Sequence, residues 1–414
     1  MADPGKTVRA PRGMPDLHGP ALARLSAFER LGLEVLARHG FREMRTPVLE
    51  EERLFARAAG ETSEVVEKQM FRVPVGEGEA YALRPEGTPG VVRAYLEHSL
   101  GKQRPFVKVS YAGPMFRYER PQAARQRQFH QVGAESFGSA APLVDADSIL
   151  AAAAVLRAAG LRSFTTRINT IGCSDCRPVL REAVRAAALA AGDRLCANCR
   201  RRLDRNPLRF LDCKEPGCRE AAAKVPPSET LVCAACREHF GAVKAALTAL
   251  EEPFTVDPRL VRGLDYYTRT VFELSVPALG ARDAVGGGGR YDELVEQMGG
   301  PPTPVVGFAL GVEATLLALE KTGEAPPAAP EAEAQVFVVV PEGGAPGSRL
   351  AALVLAREVR ALGVSADLDL EGRSTKSQMR AADRAGASVA LLIGPEEEIP
   401  RAEALRRVQA LRAP

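Results

Sequence analysis

The sequence predicts an α+β core built on an antiparallel sheet, interrupted by a cysteine-rich, mostly helical insertion and followed by a C-terminal α/β domain. Three observations carry this expectation: a long hairpin over residues 106–138, eight cysteines confined to 173–236, and alternation of strands with helices beyond residue 335. At 414 residues the chain can bury two or three separate cores. The expected divisions are 1–172 for the first part of the core, 173–240 for the insertion, 241–322 for the second part, 323–334 for a Pro/Ala/Glu-rich linker and 335–414 for the terminal domain.

Each element has its own signal. Between 21 and 39, Leu25, Phe28, Leu31, Leu33, Val35 and Leu36 recur at helical spacing ahead of a capping Gly40. Residues 106–119 and 129–138 read as two strands joined by a polar loop. An Ala-rich helix then runs to Ala159, with a strand at 163–170. Beyond the cysteines, 268–276 alternates as a strand, Gly286 to Gly289 is a four-glycine run, and 305–310 passes through Gly311 into a helix. The last domain reads as strands at 336–340, 364–368 and 389–393, with helices at 348–362 and 374–385 and a final helix.

Composition excludes several classes. The longest apolar run, Ile149 to Leu156, is eight residues, and neither a signal peptide nor a membrane span is expected, which implies a cytoplasmic protein. A net charge of +3 does not by itself announce a nucleic-acid binder, so any phosphate-binding surface has to be local.

The hairpin carries the chemistry. Strand periodicity places Met115, Arg117 and Glu119 on one face of its first strand, and Phe129, Gln131, Gly133 and Glu135 on one face of its second. Arg117 can fork onto a phosphate and Phe129 can stack on a purine, while the carboxylates and the amide can hold a polar amino acid. The loop 120–128 adds Arg120, Arg125 and Arg127 without a single acid.

At these residues the chain resembles the histidyl-tRNA synthetases, of the bacterial type, among the class II aminoacyl-tRNA synthetases. The segment Gly113-Pro114-Met115-Phe116-Arg117-Tyr118-Glu119-Arg120-Pro121-Gln122, with Arg127-Gln128-Phe129-His130-Gln131, looks like class II motif 2. The resemblance extends to Leu83-Arg84-Pro85-Glu86-Gly87-Thr88, to the family-specific run Arg262-Gly263-Leu264-Asp265-Tyr266-Tyr267, and to Gly287-Gly288-Gly289-Arg290-Tyr291-Asp292. It implies a histidine-tRNA ligase that activates L-histidine with ATP and Mg²⁺ and transfers it to the 3′ end of tRNA(His).

Carried over residue by residue, the resemblance gives Arg117 the α-phosphate, Glu119 the adenine edge, Phe129 the adenine face and Arg125 the terminal phosphates of ATP. Glu86, Thr88 and Gln131 would hold the histidine ammonium, Glu135 and Tyr267 would read the imidazole, and Tyr291 joins the histidine set. Arg262 would bridge the substrate carboxylate and the α-phosphate, sharing catalysis with Arg117. Arg120, Gln122 and Arg127 would meet tRNA, as would Lys376, Arg380 and Arg384, which repeat every four residues behind the N-cap Ser374 in a domain that resembles the family's anticodon-binding domain. Because Arg262 and Tyr267 differ in strand parity, one flat strand cannot aim both at one ligand, and a bend at Gly263 or a loop is required.

The pairs Cys173/Cys176, Cys196/Cys199, Cys213/Cys218 and Cys233/Cys236 have spacings that suit two structural zinc sites of four thiolates each, although sequence leaves open which pairs combine. Between Cys173 and Arg237 thirteen basic residues face eight acidic ones, and Arg200, Arg201, Arg202, Arg205 and Arg209 form a basic patch suited to a tRNA acceptor arm. A homodimer pairing near 25–46 is also implied. Two departures from the family stand out. The segment after Gly394 is short by roughly two strands, and Ala314 follows Gly307-Phe308-Ala309-Leu310-Gly311-Val312-Glu313 where the family carries an ATP-binding arginine.

The alternative is a catalytically silent relative such as the synthetase-like regulatory subunit of ATP phosphoribosyltransferase. The intact run from Arg262 to Tyr267, the insertion and the C-terminal domain argue against it. A zinc-dependent nucleic-acid-binding protein without activity would leave the hairpin unexplained.

Overall fold

In the computed structural model of the chain, the described residues are 8–59, 65–76, 79–121, 125–204, 206–326, 336–342, 347–392, 405–406 and 408. Gln122, Arg205, most of the linker, the segment after Gly394 and most of the final helix lie outside them. The chain divides into two compact units, Met1–Ala329 and Pro330–Pro414.

The strands are, in chain order, β1 (Arg42–Glu43), β2 (Leu49–Glu51), β3 (Phe71–Val75), β4 (Glu79–Leu83), β5 (Val107–Phe116), β6 (Gln128–Phe137), β7 (Thr165–Thr170), β8 (Thr255–Val256), β9 (Thr268–Ser275), β10 (Ala284–Arg290), β11 (Val305–Gly311), β12 (Val336–Val339), β13 (Ala366–Leu368) and β14 (Val389–Leu392). Eight of them form the main sheet, in the order β1-β5-β6-β11-β10-β9-β7-β8. Its interior is antiparallel, and the two-residue strands at its edges pair parallel with β5 and β7. A smaller sheet, β2-β4-β3, flanks it.

Strand alternation gives the main sheet two different faces. One buries Val132, Ala134, Phe272, Leu274, Phe308 and Leu310 against the helices Gly19–Arg38, Pro142–Ala158, Ala234–Ala249 and Val312–Thr322. The other carries Tyr111, Met115, Val271 and Tyr291 and packs against the cysteine-rich insertion. The functional cavity opens on this second face.

A buried ion network links strands to helices. Arg290 is fully buried, and its guanidinium donates to Asp145 at 2.9 and 2.5 Å, to Asp292 at 3.0 Å and to the Ser139 carbonyl at 2.9 Å. The other Asp145 oxygen meets Nε2 of His239 at 2.6 Å. Removing Arg290 would leave the buried Asp145 carboxylate with His239 alone, at a cost of about 3 to 5 kcal/mol.

In the second unit, the described strands form a parallel sheet in the order β13-β12-β14. The helix Thr375–Arg384 is capped by the Ser374 side chain. It buries Gln378 and Ala382 and leaves Lys376, Arg380 and Arg384 exposed. Gln378 ties this helix to β12, exchanging hydrogen bonds with the Val340 backbone at 2.9 and 2.8 Å.

Candidate active site

Four segments converge on one cavity of about 280 Å³. From β4 the chain turns through Arg84 and Pro85 to Glu86 and enters the helix Thr88–Glu97. Arg84 staples that turn to the hairpin, donating to the Pro114 carbonyl at 2.8 Å and to the Thr46 carbonyl at 3.0 Å. β5 ends at Phe116, so Arg117 and Glu119 lie just beyond the strand instead of inside it, contrary to the periodicity reading. The pairing persists far enough to fix Arg117, whose amide donates to the Arg127 carbonyl at 2.8 Å.

The cavity is lined by Glu86, Thr88, Arg117, Glu119, Arg125, Phe129, Gln131, Arg262, Tyr267 and Tyr291. Glu135 is not at its surface. Fully buried, it lies behind the wall, where its carboxylate accepts from Thr88 at 2.7 Å, from Tyr111 at 3.3 Å and from Tyr291. Gly307 stands opposite Glu135 in the β6–β11 register, and any Cβ there would collide with the carboxylate, so glycine makes the room. Met115 belongs to the apolar core rather than to the cavity wall. Of the loop arginines, Arg125 lines the cavity and pairs with Glu119, whereas Arg127 stacks over Tyr118 at 4.2 Å and Arg120 is exposed.

Charge in the cavity is arranged in layers. The Arg117 guanidinium lies over the Phe129 ring at 5.3 Å and donates to the Pro85 carbonyl at 2.9 Å. Arg262 donates to Glu273 at 2.8 Å, and Arg167 holds the other oxygen of Glu273 at 2.6 Å. Burial pushes the Glu86 carboxyl up to about 7 despite the nearby Arg117, and it accepts from Tyr266 at 3.1 Å. Burial likewise pushes Glu135 up to about 8 against the pull of its hydroxyl donors. Two buried atoms in this region lack a hydrogen-bond partner, Oε1 of Gln131 and Nε of Arg262. Such groups are costly unless a ligand satisfies them.

The model of the family described as histidyl-tRNA synthetase matches residues 13–315, and that described as anticodon binding domain matches 335–410. The histidine–tRNA ligase of Moorella thermoacetica is 44% identical over 400 residues, covering 97% of this chain and 93% of the relative.

The chain belongs to the histidyl-tRNA synthetase family.

The solved apo histidyl-tRNA synthetase of S. aureus is similar at 32% identity with a TM-score of 0.76, covering 94% of this chain and 92% of that one. An ATP phosphoribosyltransferase regulatory subunit/histidyl-tRNA synthetase from Bacillus halodurans is 20% identical with a TM-score of 0.66, covering 94% of this chain and 98% of that one, and shares the fold.

For a histidyl-tRNA synthetase, the run from Arg262 to Tyr267 is the distinguishing piece, and here it is a loop. The loop resolves the parity conflict, since Arg262 and Tyr267 both reach the same cavity. Among the lining residues that sequence did not assign to the site are Tyr111, Tyr266 and Glu273. Stepping back by twos from Met115 would have reached Tyr111, and Tyr266 sits inside the quoted motif. Glu273 had no signal, because its value lies in a pairing with Arg262 across a turn. Ala314 also lines the cavity, beside Gly311, and presents only a methyl group there.

The eight cysteines form two clusters outside the cavity. Cys173, Cys176, Cys233 and Cys236 make one and Cys196, Cys199, Cys213 and Cys218 the other, with the four sulfurs of each within 4.8 Å of one another. Individual Sγ–Sγ separations are 3.7, 4.0 and 3.8 Å in the first and 3.9 Å in the second. A tetrahedral zinc with bonds of about 2.3 Å sets its sulfurs about 3.8 Å apart, so both donor sets fit that ion.

Proposed function

We propose that the chain acts as a histidine-tRNA ligase, activating L-histidine with ATP and passing it to the 3′ end of tRNA(His). The carrying observation is the single cavity that joins the motif 2 residues Arg117 and Phe129 to the family-specific Arg262 and Tyr267. Adenylation is attack of the histidine carboxylate on the α-phosphorus with pyrophosphate leaving. No protein nucleophile is needed, so the chain's work is orientation and charge stabilisation. Phe129 takes the adenine face, Glu119 its edge, and Arg117 and Arg262 the developing charge at the α-phosphate. Magnesium bound with the nucleotide would offset the charge of its phosphates beside Arg117 and Arg262.

Histidine lies against the buried Glu86, with Glu135 behind the cavity wall. Glu86, Thr88 and Gln131 receive the ammonium, and the unpaired Oε1 of Gln131 supports that placement. Tyr267 and Tyr291 face the imidazole from the cavity wall, and Glu135, expected from sequence to read it directly, acts from behind through the Tyr291 hydroxyl. A site of buried hydrogen-bonding groups rejects amino acids that leave those groups unpaired.

Transfer needs the tRNA held at both ends. The exposed triad Lys376, Arg380 and Arg384 suits the anticodon arm, while Arg120, Gln122 and Arg127 with the insertion's arginines suit the acceptor end. The two cysteine clusters would hold zinc as a structural ion. The molecule is a cytoplasmic homodimer joined near residues 25–46, where the short exposed edge strand β1 lies, and no helix of the described residues is long and apolar enough to cross a membrane. Histidine-dependent exchange of pyrophosphate into ATP tests the reading.

One observation favours a modified ATP site. Ala314 supplies no counter-charge where an arginine is expected, and Arg125 already pairs with Glu119. ATP therefore binds with a raised KM, with the N-terminus of the helix Val312–Thr322 recovering part of the loss.

A further inference from the structure

Both cysteine clusters are wired to the same short loop. The cluster of Cys173, Cys176, Cys233 and Cys236 closes the base of the insertion, joining residues 60 apart in sequence. Its geometry is tightly set: Gly172 has φ +75, and a Cβ there would sit 2.5 Å from the Cys176 sulfur. The residue after Cys176 is Arg177, whose guanidinium donates to the Tyr267 carbonyl at 2.8 Å. The second cluster brackets the segment Pro207–Phe210 between Cys199 and Cys213. Just ahead of that segment, Asn206 donates to the Asp265 carboxylate at 2.5 Å, and the Arg209 guanidinium lies 3.2 Å from where a Cβ on Gly263 would stand. The loop from Arg262 to Tyr267 therefore leans on the insertion at both of its ends.

We propose that the insertion is a metal-set strut for the histidine-reading loop, in which zinc in the two clusters fixes Arg177 and Asn206, and these two side chains fix Tyr267 and Asp265. The inference rests on the reading that the clusters bind zinc. Arg177 and Asn206 are positioning residues: neither lines the cavity, and each acts through loop backbone or a loop carboxylate. The strut bears on Tyr267, on the histidine side, whereas the adenine contacts come from the hairpin. Its loss accordingly separates the two substrates.

The test uses the full chain as purified, with zinc content, histidine affinity by calorimetry, and exchange kinetics in histidine and in ATP. Wild type should carry two zinc ions per chain. Arg177→Ala and Asn206→Ala should each keep both ions, weaken histidine about tenfold as expected for one lost hydrogen bond to a buried group, and leave the ATP KM within about twofold. Active wild type without zinc would overturn the metal reading. Zinc-replete variants with unchanged histidine affinity would overturn the strut alone, as would an equal loss for histidine and ATP.

Discussion

Arg262 reaches the cavity with its guanidinium held by Glu273, which Arg167 secures from behind. That arrangement pre-orients the cation that the proposed mechanism uses when charge develops at the α-phosphate. Replacing Arg262 with alanine should lower kcat by two to three orders of magnitude, about 3 to 4 kcal/mol of transition-state stabilisation, with histidine still bound. Exchange at the wild-type rate would remove Arg262 from the mechanism. Ala314→Arg tests the opposite case, an added guanidinium. It should lower the ATP KM with little change for histidine, and an unchanged ATP KM would make Ala314 a neutral substitution.

The two buried acids give a pH signature. Glu86 and Glu135 titrate near 7 and 8 in the folded chain, above the ordinary 4.5, so between these limits the folded state binds more protons than the unfolded one. Stability from this source is complete below about 4.5 and is lost as pH rises through 7 to 8. The Tm of the ligand-free protein should therefore fall between about pH 4.5 and 8 and level off above that range, and Glu135→Gln should shrink the fall. In the proposed placement the histidine ammonium pairs with ionised Glu86, so its stabilising effect should grow with pH. A Tm increment from histidine that shrinks as pH rises would contradict these assignments.

At the scale of elements, legibility followed sequence distance. The hairpin of β5 and β6 was readable because both strands and their loop are contiguous and their period of two is clean, down to the face that carries Phe129 and Gln131. What escaped was set by partners far away. Nothing near Cys173 indicates that Cys233 will share its cluster, and β2 is only three residues long, too short to carry a pattern. Glu135 was legible as a buried acid of the site, but not its position behind three hydroxyls, which depends on Gly307 arriving opposite through β11. The helix Thr375–Arg384 reads the same in sequence and structure, since a capped, amphipathic segment specifies itself locally. Neutralising Lys376, Arg380 and Arg384 together should cut aminoacylation of tRNA(His) at least about tenfold, because several phosphate contacts go at once, while exchange persists. Equal loss of both activities would point to misfolding instead.

Across the whole molecule, an antiparallel sheet separates two tasks. One face buries four long helices and gives rigidity, and the other carries the cavity beneath an insertion that the sequence introduces between β7 and β8. A separate unit with its own parallel sheet presents a basic helix. This division is what a two-step reaction needs, with small substrates enclosed in one place and a polyanion gripped elsewhere. The first step tests the account most directly, through exchange of labelled pyrophosphate into ATP measured with each amino acid in turn over a wide range of ATP. The account predicts exchange with histidine alone, at a raised ATP KM. No exchange with histidine at any ATP concentration, or exchange driven equally by other amino acids, would contradict it.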